Sequence, residues 1–148
     1  VTAHRMALLA MDQLAWAIAG MRSGYEVGTA VEDLRGLLQR GLVAVWAPSR
    51  LVANRSDIEA TWRLTSDSLA LWLANKLGAE ACCVVKSVAL PRGQHSANAL
   101  MQDGIVDEAF QGMLAETGSP TMIFGQGDHA GLAAQLAGKV SAPSPVVV

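Results

Sequence analysis

Residues 65–87 read TSDSLALWLANKLGAEACCVVKS, and this stretch decides the fold of the chain. It begins with hydroxyls and a carboxylate, continues as a helix closed by Gly78, and leads into the apolar strand Ala81–Val85. The strand ends in a cation and a hydroxyl, Lys86-Ser87. A helix start presents unpaired backbone N–H groups and the positive end of the helix dipole, both of which suit phosphate. The stretch therefore predicts an α/β fold and favours phosphoryl transfer over other chemistries.

Helices and strands alternate along the rest of the chain. Two more apolar runs of strand length, Leu42–Trp46 and Thr121–Phe124, accompany Ala81–Val85. Apolar strands separated by helices predict a parallel sheet covered on both faces. We therefore expect a three-layer αβα fold with a mainly parallel central sheet, in a single domain of residues 1–148. The expected helices are Val1–Ser23, Thr29–Arg40, Ser66–Lys76, Val106–Glu116 and Asp128–Gly138; Ala47–Arg63 and Ser87–Asp103 are expected to be irregular, and Val140–Val148 is either a disordered end or an edge strand.

Polar segments are expected to meet at one rim of that sheet. Right-handed crossovers place the carboxyl ends of parallel strands on the same rim, where ligands bind in open α/β sheets. The convergence of hydroxyls, charges and glycines predicts one functional site there. The segments are Pro48-Ser49-Arg50, Thr65-Ser66-Asp67, Lys86-Ser87 and Gly125-Gln126-Gly127.

Composition excludes several classes of protein. The chain has 148 residues, is 51% hydrophobic and 16% charged, and carries a net charge of -2 without a basic run. These values indicate a packed core and no nucleic-acid partner. The adjacent Cys82 and Cys83 fall on a strand and point to opposite faces, so we expect free thiols and a reducing, cytoplasmic location. The Cys and His spacings match no zinc site, so no protein-bound metal is expected.

The first helix is apolar, but it does not read as a membrane span. Ala7–Met21 is shorter than the roughly 20 apolar residues that a span requires, and it contains Asp12 and Gln13. We therefore expect no membrane association. Core burial and an interface between identical copies both explain its apolar character, and we expect a homo-oligomer.

Each candidate site residue has an ordinary structural alternative. Asp67 could organise cations or a metal ion, or it could cap its helix. Lys86 could neutralise phosphate charge, or it could reach solvent from a strand end. Trp62 could form the wall of a ligand pocket, or it could pack on the core. The same two interpretations, ligand contact or an ordinary surface position, apply to His4, Arg50 and Arg63.

The segment Trp62–Leu90 resembles the amino acid kinase superfamily, which includes uridylate, acetylglutamate and carbamate kinases. Thr65-Ser66-Asp67-Ser68 fits the hydroxyl-rich segment that opens a helix in that family, and residues 78–88 fit the strand that leads to its nucleotide loop. Residues 3–11 look like the family helix that lines the acceptor pocket. The segments SDSLALWLA (residues 66–74) and GIVDEAF (residues 104–110) look like those of the small archaeal and methylotroph members. One of those phosphorylates an aminomethylfuran phosphate on the route to methanofuran-type cofactors.

The resemblance implies an ATP-dependent kinase that uses Mg²⁺ and acts on a small acceptor bearing a phosphate or carboxylate. It also implies roles for individual residues. Asp67 and Lys86 would be catalytic, Thr65, Ser66 and Ser87 would contact the nucleotide, and His4, Arg50 and Trp62 would contact the acceptor.

Two departures from the family pattern leave an alternative open. Val88 is followed by Ala89-Leu90 where the family has an Asp-Gly pair, and the family's phosphate-cradling loops have no counterpart in these residues. We expect those loops in an N-terminal portion preceding Val1. The alternative is a non-catalytic nucleotide- or anion-binding or storage protein on the same fold.

Overall fold

The computed structural model describes residues 2–90 and 95–138 and shows a mixed α/β protein. The chain divides into two compact units, Val1–Trp62 and Arg63–Val148. The first unit contains α1 (Thr2–Gly20), β1 (Tyr25–Gly28), α2 (Val31–Gln39), β2 (Val43–Trp46) and α3 (Ser49–Val52). The second unit contains α4 (Ser66–Leu77), β3 (Cys82–Val85), α5 (Ala97–Gln102), α6 (Phe110–Glu116), β4 (Thr121–Phe124) and α7 (His129–Leu136).

The first unit is built on a parallel pair of strands. β1 and β2 are in register from Tyr25 opposite Val43 to Gly28 opposite Trp46. Helices α1 and α2 each contact both strands. Leu34 of α2 is 1% exposed, and its side chain lies so close to Gly28 that a Cβ there would meet it at 2.6 Å. The strand pair and its two helices thus form a small core of their own.

The second unit repeats this construction with a larger core. β3 and β4 are parallel, in register from Cys82 opposite Thr121 to Val85 opposite Phe124. Helix α4 packs against β3 and α6, so its apolar residues fill the space beside the sheet. The buried cluster comprises Leu71, Ala74, Cys82, Val84, Ala97, Leu100, Val106, Phe110 and Ile123.

The mixed α/β class and the parallel strand pairing are confirmed. Each unit has its own two-stranded parallel sheet, so a three-layer arrangement around one central sheet stays a prediction, as does the single domain. The expected helix Ser66–Lys76 and strand Thr121–Phe124 are found within one residue of their expected bounds. The expected tail Val140–Val148 lies outside the described residues.

Some local expectations are wrong. Tyr25–Gly28 forms strand β1, although its short, partly polar sequence carries no strand pattern. Helix α5 lies inside the expected loop Ser87–Asp103, where Ser96 caps it by accepting a hydrogen bond from the N–H of Ala99 at 3.2 Å. Helix α3 occupies part of the expected irregular segment Ala47–Arg63.

Helix α1 is less buried than its composition predicts. Of its residues, Leu8 and Ala15 are buried, whereas large apolar side chains elsewhere on the helix are exposed. Within residues 2–90 and 95–138, no helix combines the length and apolar character that crossing a bilayer requires. The expected homo-oligomer stays a prediction. The exposed large side chains of α1 are Met6, Leu9, Leu14 and Trp16.

The end of α4 gives a first testable prediction. Gly78 adopts the left-handed conformation, φ 65° and ψ 43°, and open space surrounds its missing Cβ. Gly78→Ala is therefore expected to lower the free energy of unfolding by about 1 kcal/mol through backbone strain alone. Gly112→Ala, inside helix α6 and equally free of neighbours, is the matched control and should raise it by about 0.5 kcal/mol. Urea unfolding measures both, and equal signs for the two variants would contradict the assignment of the cap.

Candidate functional site

An ion pair stands at the carboxyl end of β3. The Nζ of Lys86 lies 2.8 Å from Oδ2 of Asp67, and the two side chains are 23% and 11% exposed. The N–H of Lys86 donates to the carbonyl of Phe124 at 2.8 Å, which ties this residue to β4. Asp67 comes from the first turn of α4. The sequence-predicted pair Asp67 and Lys86 is thus brought together at one edge of the sheet.

A carboxylate from elsewhere in the chain occupies the start of α4. Oδ2 of Asp107 accepts hydrogen bonds from the N–H and the hydroxyl of Thr65, both at 2.8 Å, and from the N–H of Ser68 at 3.1 Å. The Ser68 hydroxyl donates to Oδ1 of the same carboxylate. Asp107 therefore satisfies two N–H groups at the helix start, while the carboxylate of Asp67 accepts from Lys86. The hydroxyl of Thr65 is held by protein, whereas Ser66 is exposed.

A cleft of about 380 Å³ opens beside the ion pair. It lies at the carboxyl ends of β3 and β4 and the start of α7, the position expected for ligands of parallel sheets. Its volume falls within the range typical of small-molecule sites. The wall combines one cation and one carboxylate with hydroxyl, amide, imidazole and apolar groups. The lining residues are Val85, Lys86, Ser87, Phe124, Gly125, Gln126, Asp128, His129 and Leu132.

The turn after β4 shapes the floor of this cleft. The N–H of Gly125 donates to Oδ2 of Asp128 at 2.8 Å, and the N–H of Gln126 donates to the carbonyl of Val88 at 2.9 Å. A Cβ on Gly125 would lie 2.7 Å from that carbonyl and 2.7 Å from Cγ of Leu90, so only glycine fits. Asp128 stands at the N-cap of α7, but its side chain accepts no hydrogen bond from that helix and organises the turn instead.

Of the residues that the structure describes, the charged side chains in and beside the cleft are one cation, Lys86, and two carboxylates, Asp67 and Asp128. Lys86 supplies a point charge of the kind that binds phosphate oxygens. The neighbouring carboxylates of Asp67 and Asp128 are already held by hydrogen-bond donors. Among residues 2–90 and 95–138, no group of three His, Cys, Asp or Glu side chains could hold a metal.

The residues expected to bind the acceptor lie in the other unit. His4 is partly buried on α1, Arg50 is exposed on α3, and Trp62 is 70% exposed at the end of that unit. A separate cavity of about 290 Å³ there includes Arg5 and Ser49 in its wall. Arg63, from the second unit, forms an exposed ion pair with Glu108 at 2.8 Å.

Sequence reasoning missed two contributors to this site, Asp107 and His129, and one polar contact in the first unit, made by Asp12. Asp107 was placed inside the expected helix Val106–Glu116, and no spacing links it to residues some forty positions earlier. His129 belongs to no motif in the sequence, yet it lines the cleft with Ser87. Asp12 accepts hydrogen bonds from the N–H and the hydroxyl of Ser49 and so fixes the start of α3. The glycine-flanked Gln126 was the sole signal for the turn after β4.

The cysteines play no nucleophilic part in this geometry. Both thiols are free, with Cys82 buried and Cys83 half-buried. Burial, with a smaller contribution from the neighbouring Cys83, raises the pKa of the Cys82 thiol to about 11. Because thiolate is the reactive form, Cys82 is unreactive at neutral pH.

No protein-family model and no curated protein matches this sequence. The resemblance to the amino acid kinase superfamily therefore stays a prediction.

Proposed function

We propose that the protein is an ATP-dependent phosphotransferase acting on a small acceptor that bears a phosphate or carboxylate. The observation that carries the proposal is the Asp67–Lys86 ion pair beside the cleft. Lys86 belongs both to the pair and to the cleft wall, so a held cation faces the space a ligand would fill. Phosphoryl transfer depends mainly on positioning and charge neutralisation, which such a cation provides.

The roles of the cleft residues follow from their positions. Lys86 neutralises charge on the phosphates, and Asp67 fixes the direction of the Lys86 side chain. The Ser87 hydroxyl donates to a phosphate oxygen from the strand end. Phe124 and Leu132 provide apolar surface suited to the flat face of a base. ATP would supply the phosphoryl group when bound, and its Mg²⁺ would help to neutralise the phosphate charge beside Lys86.

The start of α4 plays a different part from the one that the sequence predicts. The N–H and hydroxyl of Thr65 are engaged by Asp107, so Thr65 supports the site instead of binding phosphate. Ser66 is exposed on the same turn and keeps its proposed contact with the nucleotide. The three-layer fold and the homo-oligomer belong to the same proposal.

The acceptor is proposed to be an aminomethylfuran phosphate or a compound of similar chemistry, in methanofuran-type cofactor biosynthesis. This rests on the sequence resemblance of residues 66–74 and 104–110. His4, Arg50 and Trp62 are the proposed contacts. Arg50 would pair with the acceptor phosphate through its planar guanidinium, and Trp62 would cover the ring.

One observation favours the second candidate, a non-catalytic nucleotide- or anion-binding protein. The Asp107 carboxylate already fills the helix start that the sequence assigns to phosphate. In that case Lys86 and Ser87 alone would hold the anion, and turnover would be absent although nucleotide binds.

An acceptor screen separates the two candidates. The protein is incubated with ATP and Mg²⁺ and with single acceptors, and ADP release is measured for each. We expect release with an aminomethylfuran phosphate and none with free glutamate, aspartate or carbamate. If UMP or an amino acid proved the best acceptor, the proposed branch would be wrong while phosphotransfer stood. If nucleotide bound but no acceptor caused ADP release above background, the protein would be the non-catalytic binding protein.

A further inference from the structure

We infer that Asp107 is the positioning residue of the site, the side chain that holds Asp67 in place against Lys86. The inference deepens the proposed function and rests on it. Asp107 is absent from the cleft lining, so it acts through Asp67 and touches no substrate.

Both oxygens of the Asp107 carboxylate are occupied by the segment that carries Asp67. Oδ2 accepts from the N–H and hydroxyl of Thr65 and from the N–H of Ser68, at 2.8, 2.8 and 3.1 Å. Oδ1 accepts from the Ser68 hydroxyl and from the N–H of Ala109, the latter at 3.1 Å. The Asp107 carboxylate thus holds Thr65 and Ser68, which lie on either side of Asp67 in the sequence.

Helix α4 does not hold its own first turn through a side-chain cap. Thr65 is the N-cap of α4, but its side chain accepts no capping hydrogen bond from the helix. The charge of Asp107 meets the positive end of the helix dipole and makes charge-assisted hydrogen bonds, which are stronger than neutral ones. A second tie, from the N–H of Ala109 to the carbonyl of Arg63 at 2.9 Å, joins the same two segments.

Asp67 connects the residues held by Asp107 to the cleft. Ser68 is 0% exposed and cannot shift without opening the core. Asp67, between the two anchored residues, therefore projects toward Lys86 in a fixed direction. Because displacing a reacting constellation by about 1 Å can cost a hundredfold in rate, a carboxylate that sets this direction controls the reaction.

The test compares Asp107→Asn with Asp103→Asn, the same chemical change at the exposed C-cap of α5. The first readout is the rate at which an amine-acylating reagent labels Lys86, followed by mass spectrometry on folded protein. We expect Asp107→Asn to speed labelling severalfold, because Asp67 no longer holds the ammonium, and Asp103→Asn to leave it unchanged. A purely structural Asp107 would lower the free energy of unfolding without changing labelling of the folded state.

The second readout is turnover, which should fall about 10- to 100-fold in Asp107→Asn. If Asp107→Asn does not fold, Thr65→Val removes one hydroxyl donor with little change of shape, and a smaller rise in labelling is expected. Unchanged labelling in the folded variant overturns the inference, whatever the activity. A rise in labelling with no phosphotransfer by the wild type supports the inference and overturns the proposed function instead.

Discussion

Asp67→Asn is expected to lower turnover by about a hundredfold or more while leaving the fold intact. The asparagine keeps an oxygen that can accept from the Lys86 ammonium, but it removes the charge that fixes this cation. The start of α4 is unaffected, because Asp107 and not Asp67 satisfies its N–H groups. Loss of rate would therefore report on the ion pair alone.

Asp103→Asn is the matched control for this variant. It makes the same chemical change at an exposed position, the C-cap of α5, away from the cleft lining. Steady-state kinetics with the best acceptor measure both variants, and circular dichroism confirms their folding. Turnover of Asp67→Asn within a few-fold of the wild type would remove Asp67 from the catalytic assignment.

Lys86→Gln is expected to reduce the free energy of unfolding by about 3 kcal/mol, because it leaves the buried Asp67 carboxylate unpaired. Asp67 is 8% exposed and cannot recover full hydration, whereas Lys86 is closer to solvent and tolerates the loss of its partner better. The double variant Asp67→Asn/Lys86→Gln removes both charges. Its free energy of unfolding should return most of the way to the wild-type value, although the variant should still fail to bind nucleotide.

A double-mutant cycle in urea measures this coupling. The proposal expects strong non-additivity, in which the double variant is more stable than Lys86→Gln alone. Additive losses would show that the two side chains do not depend on one another. In that case Asp67 could not direct Lys86 toward the cleft.

The site was predictable where its signals are local in sequence. The hydroxyl-rich start of α4, the closing Gly78 and the apolar β3 follow one another within residues 65–85, so the pattern fixes them in order. The meeting of Asp67 and Lys86 follows from this short connection, because a helix and the strand after it pack against each other. The same reasoning placed the turn after β4 beside Lys86 through parallel pairing.

Contacts between distant segments escaped sequence reasoning. Asp107 reaches Thr65 across 42 positions and Ser68 across 39, and a carboxylate at the expected start of another helix reads equally well as a local cap. The apolar character of α1 left core burial and an interface both open, because composition does not determine which of its faces is covered. Strand β1 contains Glu26 and Gly28, so it lacks the apolar run that marks β2, β3 and β4, which are equally short.

The most direct test is a titration of isotope-labelled protein with ATP and Mg²⁺, followed by backbone amide NMR shifts. The account predicts saturable shifts concentrated at Lys86, Ser87, Gly125 and Gln126, with weaker effects in the same titration of Lys86→Gln. No shifts at millimolar nucleotide, or shifts confined to residues 2–62, would contradict the claim that this cleft is a nucleotide site.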